Sequence, residues 1–222
     1  MIRVPERELM DAADQARAYA EADFAEPHEA FVRHFGERFP AFQGGDVVDL
    51  GCGPADVTTR FARTYPGARV LGIDGSPAML AEGRRRIASH PAGERITLRE
   101  LFLPSEQLPR AGFDAVISNS LLHHVSEPAV IWSAARAAAR TGAPIFVMDL
   151  MRPPDLATAE RFVALYAGDA PPVLQHDYFA SLLAAYEPDE VRAQLVACGL
   201  DHLVVEPVSD RHLVAWGVAR AP

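Results

Sequence analysis

Lysine is missing from this chain altogether: all 21 basic residues are arginine, set against 30 aspartates and glutamates, for a formal charge of −9 over 222 residues. A negative surplus with no long basic run repels polyanions, so nucleic acid and an acidic membrane surface are excluded as expected partners. Cysteine is nearly absent too. Cys52 and Cys198 are too few and too far apart for a disulfide framework or a zinc site, and their apolar neighbours suit packing. No apolar run approaches the roughly eighteen residues that a bilayer crossing requires. The opening, MIRVPERELMDAADQARAYAEADF, is charged and has no apolar core of a secretory signal, which makes the cytoplasm the expected location. No repeat, low-complexity tract or interdomain linker interrupts the chain, and its length suits one large domain.

What is present is a change of period. Leu9, Ala13, Ala16 and Ala20, and then Phe31, Phe35 and Phe39, recur at helical spacing, which predicts two helices before the first strand, a helical lid over residues 1–44. From Asp46 onward short β-branched runs alternate with helical stretches: VVDL, helix 56–64, RVLGID, helix 77–89, ITLREL, DAVISN, helix 121–140 and PIFVMDL. The alternation predicts an α/β domain over 45–222, a mostly parallel, doubly wound sheet with helices on both faces. Residues 152–187 form two helical patches broken by GDAPP, too long for an ordinary connection. An insertion at the carboxyl edge of a sheet is placed to cover a site. Pro188, Asp189 and Glu190 open a last helix that Gly199 ends, and HLVVEPVSDRHLVAWGVA reads as a hairpin that adds an antiparallel edge.

The stretch VVDLGCGPADVTTRFA holds a glycine turn between strand and helix. A dinucleotide fingerprint places a third glycine three residues after the second; here that position is Asp56, and Asp49 stands two residues before Gly51. Two carboxylates in that corner oppose a pyrophosphate and favour a cationic ligand without phosphate. S-Adenosylmethionine, with a sulfonium and an ammonium group, has that charge. Asp74 ends the second strand about twenty residues on, where an acid accepts from ribose hydroxyls, although an aspartate there can equally cap a helix.

With VVDLGCGPADVTTRFA, VLGIDGSPAML, FDAVISNSLLHHV and the terminal hairpin in view, the chain resembles the class I S-adenosylmethionine-dependent methyltransferases over nearly all of residues 45–219. The resemblance implies a seven-stranded sheet with a reversed last strand. It also implies a cofactor site in which Gly51, Cys52 and Gly53, beside Asp49, approach the methionine part, and Asp74 binds the ribose. Gly75, Ser76 and Met79 would lie at the adenine edge. Ser118 and Asn119 would present a carbonyl to the cofactor's ammonium with His124 close by, and Tyr19 would bring an aromatic ring over the cofactor. Many members carry an acid after the third strand for the adenine amino group. This chain has Leu103 and Pro104 there, which leaves adenine to Ser105, backbone carbonyls or apolar packing.

Methyl transfer from a sulfonium is an in-line displacement at an activated carbon, so a protein needs chiefly to align the reactants and exclude water. A base is needed only for an acceptor that enters protonated. The candidates are His123, His124, Asp149, His176, Asp177 and Tyr178. Each has a structural alternative: the histidine as a helix cap or packing group, Asp149 as a partner of Arg152, Asp177 as an N-cap. Phe24 and Tyr19 could wall the site from the N-terminal side. Arg33 and Arg161 sit on amphipathic helices and suit solvent. These readings favour a methyltransferase for a small molecule. A protein side-chain methyltransferase, a non-catalytic S-adenosylmethionine-binding module and an NAD-dependent dehydrogenase are the alternatives.

Overall fold

The computed structural model describes residues 1–6 and 12–221; Leu9, counted above in the first helical repeat, lies outside them. Two helices, α1 (Ala13–Glu21) and α2 (Ala25–Arg38), precede β1 (Gly44–Leu50). Then follow α3 (Asp56–Thr64), β2 (Gly67–Asp74), α4 (Pro77–Ala88), β3 (Ile96–Glu100), β4 (Ala115–Asn119), α5 (Ala129–Ala138) and β5 (Pro144–Leu150). The insertion contributes α6 (Leu156–Tyr166) and α7 (Pro172–Ala184), and the chain ends with α8 (Pro188–Ala197), β6 (Val204–Pro207) and β7 (His212–Val218).

The strands form one seven-stranded sheet in the order β3-β2-β1-β4-β5-β7-β6. The first five are parallel, and β7 runs antiparallel between β5 and β6. Strand order reverses between β1 and β4, and a crevice opens beyond their carboxyl ends, the place where such sheets bind ligands. The central strands are buried on both faces, which explains their continuous apolar runs. One face packs Leu50, Val116, Trp132, Ile145 and Leu213; the other packs Val47, Ile117 and Phe146 against Phe31, Phe35 and Phe61. Phe35 meets Phe61 and Phe146 edge-on, with ring centroids 4.9 and 5.8 Å apart. The phenylalanine stripe of α2 is thus sheet-covering core, while the first turn of that helix reaches the crevice through His28.

One expected element is different. The helix expected over 121–140 is a single 3-10 turn, Leu122–His124, followed by α5 from Ala129. Pro128 removes an N–H from the interior of such a helix and disfavours helical backbone at Glu127. The Leu122 N–H is also committed elsewhere, donating to Asp149 Oδ2 at 2.7 Å.

The first six residues strap the insertion. Val4 N donates to Leu183 O at 3.0 Å, Arg3 Nε to Ala184 O at 2.6 Å, and an Arg3 Nη2 to His123 O at 2.9 Å. From α1, Gln15 Nε2 donates to Asp177 on α7 at 2.8 Å. These bonds set the amino-terminal segment, the insertion and the turn after β4 side by side.

Candidate functional site

The glycine turn is built by backbone. Gly51 N and Cys52 N both donate to Ile73 O, at 2.8 and 2.9 Å, which fastens the turn to the end of β2. Gly51 has φ +69° and Gly53 φ +50°, conformations that favour glycine. A Cβ on Gly51 would strike Leu121, whereas one on Gly53 would meet nothing within 4 Å. The Gly53 N–H donates to Asp74 Oδ2 at 2.8 Å, and Ser76 N–H to Asp74 Oδ1 at 2.8 Å. Ser76 then caps α4, its hydroxyl accepting from Met79 N at 3.2 Å.

Around this turn lies a cavity of about 230 Å³. Its wall includes Tyr19, Asp49, Gly51, Cys52, Gly53, Asp74, Gly75, Ser76, Met79, Leu103, Asn119 and His124, all expected at a cofactor. Pro104 and Ser118 are not on the wall. Ser118 is fully buried in β4 and its hydroxyl donates to Leu50 O at 2.7 Å, tying the two strand ends together. At the far end Leu101, Phe102 and Leu103 join Met79, so this corner is apolar. Ser105 is not on the wall; its hydroxyl accepts from Gln107 N at 3.1 Å.

The charges in the corner differ from the expectation. Asp56, taken from sequence as a free carboxylate that repels phosphate, is the hub of three basic side chains: His28 Nδ1 at 2.5 Å, Arg86 Nη1 at 2.9 Å and Arg60 Nε at 3.0 Å. Burial pushes its pKa up, but the imidazole of His28 and the two guanidiniums outweigh it and hold the acid well below its ordinary range. Arg86 also donates to Pro54 O and Ala20 O, at 2.9 and 3.0 Å, joining α4 to the glycine turn and α1. Asp49 has no cation beside it among the described residues. Burial pushes its pKa up to about 7 against the hydrogen bond from Thr58 Oγ1 at 2.6 Å, and the charge of Asp74 adds to the rise. The Cys52 thiol is driven well above its ordinary value by burial and then by Asp49 and Asp74, which makes it packing rather than a nucleophile. Tyr19 is pushed up to about 12 by burial and by Asp56, so it faces the cavity as a neutral phenol, its ring 4.8 Å from that of Phe24.

Of the residues expected to do chemistry, His124 lies on the cavity wall, whereas His123, Asp149, His176, Asp177 and Tyr178 do not. His123 and Asp149 form a buried pair just behind it, Nδ1 to Oδ1 at 2.5 Å. Burial alone would lower the histidine's pKa and raise the acid's, but their mutual attraction reverses both shifts. Arg152, the sequence-level partner for Asp149, instead binds Glu187 and Glu190, each at 2.9 Å. On α7, His176 is exposed, Asp177 accepts from Gln15 in mid-helix rather than capping, and Tyr178 packs in the insertion's own core beside Leu150 and Phe162. Arg33 pairs with Glu37 on the surface and Arg161 lies over Phe162. Sequence reasoning missed His28, Asp56 as an ion-pair hub, and Glu6, which reaches His124 Nδ1 at 3.2 Å. None of these carries a local signal, since each acts on a residue distant in sequence.

Comparison with known proteins follows this geometry. Residues 47–144 match the family model described as a methyltransferase domain. A trans-aconitate 2-methyltransferase of Delftia acidovorans is 39% identical over 94 residues, which are 40% of this chain and 32% of that protein. An uncharacterized 37.1 kDa protein of a Streptomyces fradiae transposon is 32% identical over 142 residues, 63% of this chain and 39% of that one. The matched stretch thus spans about a third of the length of these relatives. Among solved structures, an S-adenosylmethionine-dependent methyltransferase from Aquifex aeolicus superposes with a TM-score of 0.67 at 14% identity, covering 92% of this chain and 97% of that chain. A phosphoethanolamine N-methyltransferase from Haemonchus contortus, solved with S-adenosylhomocysteine, gives 0.70 at 15% identity over 95% of this chain and 58% of that chain. They share the fold.

Proposed function

We propose that this chain, whose domain over residues 47–144 belongs to the class I S-adenosylmethionine-dependent methyltransferases, moves a methyl group from S-adenosylmethionine to a small-molecule acceptor. Bound in the crevice, the cofactor supplies a methyl carbon activated by its sulfonium. The residues fit such a group. A glycine with open space at its Cβ position lets backbone approach it, Asp74 offers carboxylate oxygens at the strand end, and Met79 with Leu101 and Leu103 offers apolar surface for a base. The Asp49 carboxyl is a buried acid that gains from a nearby cation.

The observation that carries the small-molecule reading is a half-open crevice walled from several parts of the chain, although no residue of the insertion 152–187 reaches that wall. Tyr19 and His28 come from the amino-terminal helices, and His124, Val125 and Ile131 from the segment after β4, to wall the side facing the glycine turn. A wall of this kind suits the alignment of acceptor, methyl and sulfur, which is the protein's main task in this displacement. Five of the six candidate bases lie off the wall and His124 lies on it, which supports a mechanism led by positioning.

Calorimetry with S-adenosylmethionine tests the cofactor, with binding expected for the wild type and lost in Asp74→Ala. Release of S-adenosylhomocysteine from pooled metabolites, with trans-aconitate among the first acceptors tried, tests the reaction. Turnover with protein or peptide pools and none with metabolites would overturn the small-molecule reading.

A further inference from the structure

Three donor atoms, from the amino-terminal segment and from two adjacent histidines after β4, converge at the edge of the cavity. Glu6 Oε1 lies 3.2 Å from His124 Nδ1 and 3.5 Å from His123 Nε2, and all three atoms lie within 4.8 Å of one another. We propose that Glu6, His123 and His124 form a binding site for a divalent transition metal of the zinc type, with Asp149 as the acid that orients His123.

The spacing is that of a coordination sphere. Zinc holds imidazole nitrogens and carboxylate oxygens at about 2.0–2.2 Å in tetrahedral geometry, which separates neighbouring donors by about 3.4 Å. Two of the separations here are close to that value. Adjacent histidines are brought to one side by the 3-10 turn Leu122–His124, their ring centroids 4.2 Å apart.

The surroundings have the features of a built site. His123 gives its Nδ1 to Asp149, which fixes the ring and leaves Nε2 for Glu6, the acid–histidine pairing that orients metal-ligating imidazoles. Asp149 is itself held, accepting from Leu122 N at 2.7 Å and Leu150 N at 2.8 Å. Ser181 Oγ donates to Glu6 Oε2 at 3.3 Å, which leaves Oε1 toward the imidazoles; that buried oxygen accepts no hydrogen bond among the described residues. A buried carboxylate oxygen without a donor is costly unless a cation meets it. With both imidazoles neutral, the carboxylates of Glu6 and Asp149 balance one dication. Two nitrogen donors in three favour zinc, cobalt, nickel or copper over calcium or magnesium.

Three protein ligands leave a fourth coordination position. His124 and Val125 are on the cavity wall, so that position adjoins the space in which an acceptor would sit. The site is independent of the methyl acceptor's identity.

The test uses full-length protein, freed of any affinity tag, stripped with a chelator and titrated with ZnCl2 by calorimetry and with CoCl2 by visible absorption. The expected result is one equivalent bound, with cobalt bands of a four- or five-coordinate site. Glu6→Gln and His124→Ala should each weaken binding at least a hundredfold, and Asp149→Asn about 10–100-fold through loss of orientation. Circular dichroism and thermal melts establish that the variants are folded; should His124→Ala not fold, the near-isosteric Glu6→Gln decides. Absence of stoichiometric binding by stripped wild type, or binding undiminished in folded Glu6→Gln, overturns the proposal.

Discussion

Asp74 and Gly53 form one unit: the carboxylate at the end of β2 accepts the N–H of the second glycine of the turn at 2.8 Å, while its other oxygen accepts Ser76 N–H. The acid therefore fixes the glycine turn on the cavity wall as well as lining the cavity itself. Asp74→Ala removes two hydrogen bonds to a charged acceptor, each worth about 1.5–3 kcal/mol. The expected outcome is a loss of S-adenosylmethionine affinity of at least about tenfold together with a lower urea midpoint. Asp74→Asn keeps an acceptor oxygen and should fall between the two. Calorimetry and urea unfolding on the same preparations check both effects.

The two glycines of the turn should separate stability from binding. An alanine at Gly51 would place its Cβ 2.6 Å from Leu121 Cδ1 at φ +69°, so Gly51→Ala suffers both steric overlap and left-handed backbone strain. A loss of about 2–4 kcal/mol is expected. At Gly53 the added methyl enters open space at the cavity wall, leaving only the backbone cost of roughly 1–2 kcal/mol. Gly53→Ala should thus remain folded while its cofactor affinity drops, because the methyl occupies space that backbone leaves open. Denaturation curves set beside binding isotherms distinguish the two.

The alternation of strands and helices was legible because each element has a local cause: buried β-branched runs, Pro188 at a helix start, Gly199 at φ +69° at a helix end. The glycine turn, and Asp74 with Met79, were legible as two local motifs that share one cavity wall. What local sequence could not carry were interactions across the fold. The helix expected over 121–140 is interrupted where Asp149, 27 residues on, takes the Leu122 N–H. Asp56 looked like a repulsive acid because its partners His28 and Arg86 lie on α2 and α4, 28 and 30 residues away. The charge argument against a pyrophosphate therefore loses Asp56, and the preference for S-adenosylmethionine stands on the matched methyltransferase domain and on Asp49, since an acid at Asp74 suits the ribose of either cofactor class.

Asp56 should matter more for assembly than for ligand charge. Its three basic partners come from α2, α3 and α4, with His28 and Asp56 both largely buried. Removing one side of such a network leaves charges unpaired, and Asp56→Ala is expected to cost about 3–5 kcal/mol, with Asp56→Asn somewhat less. Because the folded pKa is depressed, this stabilisation is present above the ordinary carboxylate range and is lost as pH falls toward the folded value. The variants should accordingly show a shallower loss of stability between pH 5 and pH 3 than the wild type, pH values set by the usual aspartate pKa of about 3.9. Thermal melts across that range measure it.

Asp49 gives the opposite sign. Its pKa rises from the ordinary 3.8 to about 7 because it is buried, with the nearby charge of Asp74 adding to the rise against Thr58. Between these values the folded protein keeps a proton that the unfolded chain releases, so the contribution to stability is full below about pH 4 and is lost as pH rises through about 7. At about 1.4 kcal/mol per pH unit, the effect reaches a few kcal/mol. Asp49→Asn retains an acceptor for the Thr58 hydroxyl and has nothing to ionise, so at pH 8 the variant should melt above the wild type without ligand. Binding reverses the comparison. A cationic cofactor beside Asp49 stabilises the ionised form, so wild-type affinity for S-adenosylmethionine should gain over that of Asp49→Asn as pH rises from 6 to 8. The ratio of the two dissociation constants, measured by calorimetry at each pH, isolates Asp49 from titration of the cofactor itself. A ratio that stays constant across the range would show that cofactor binding is not linked to the ionisation of Asp49.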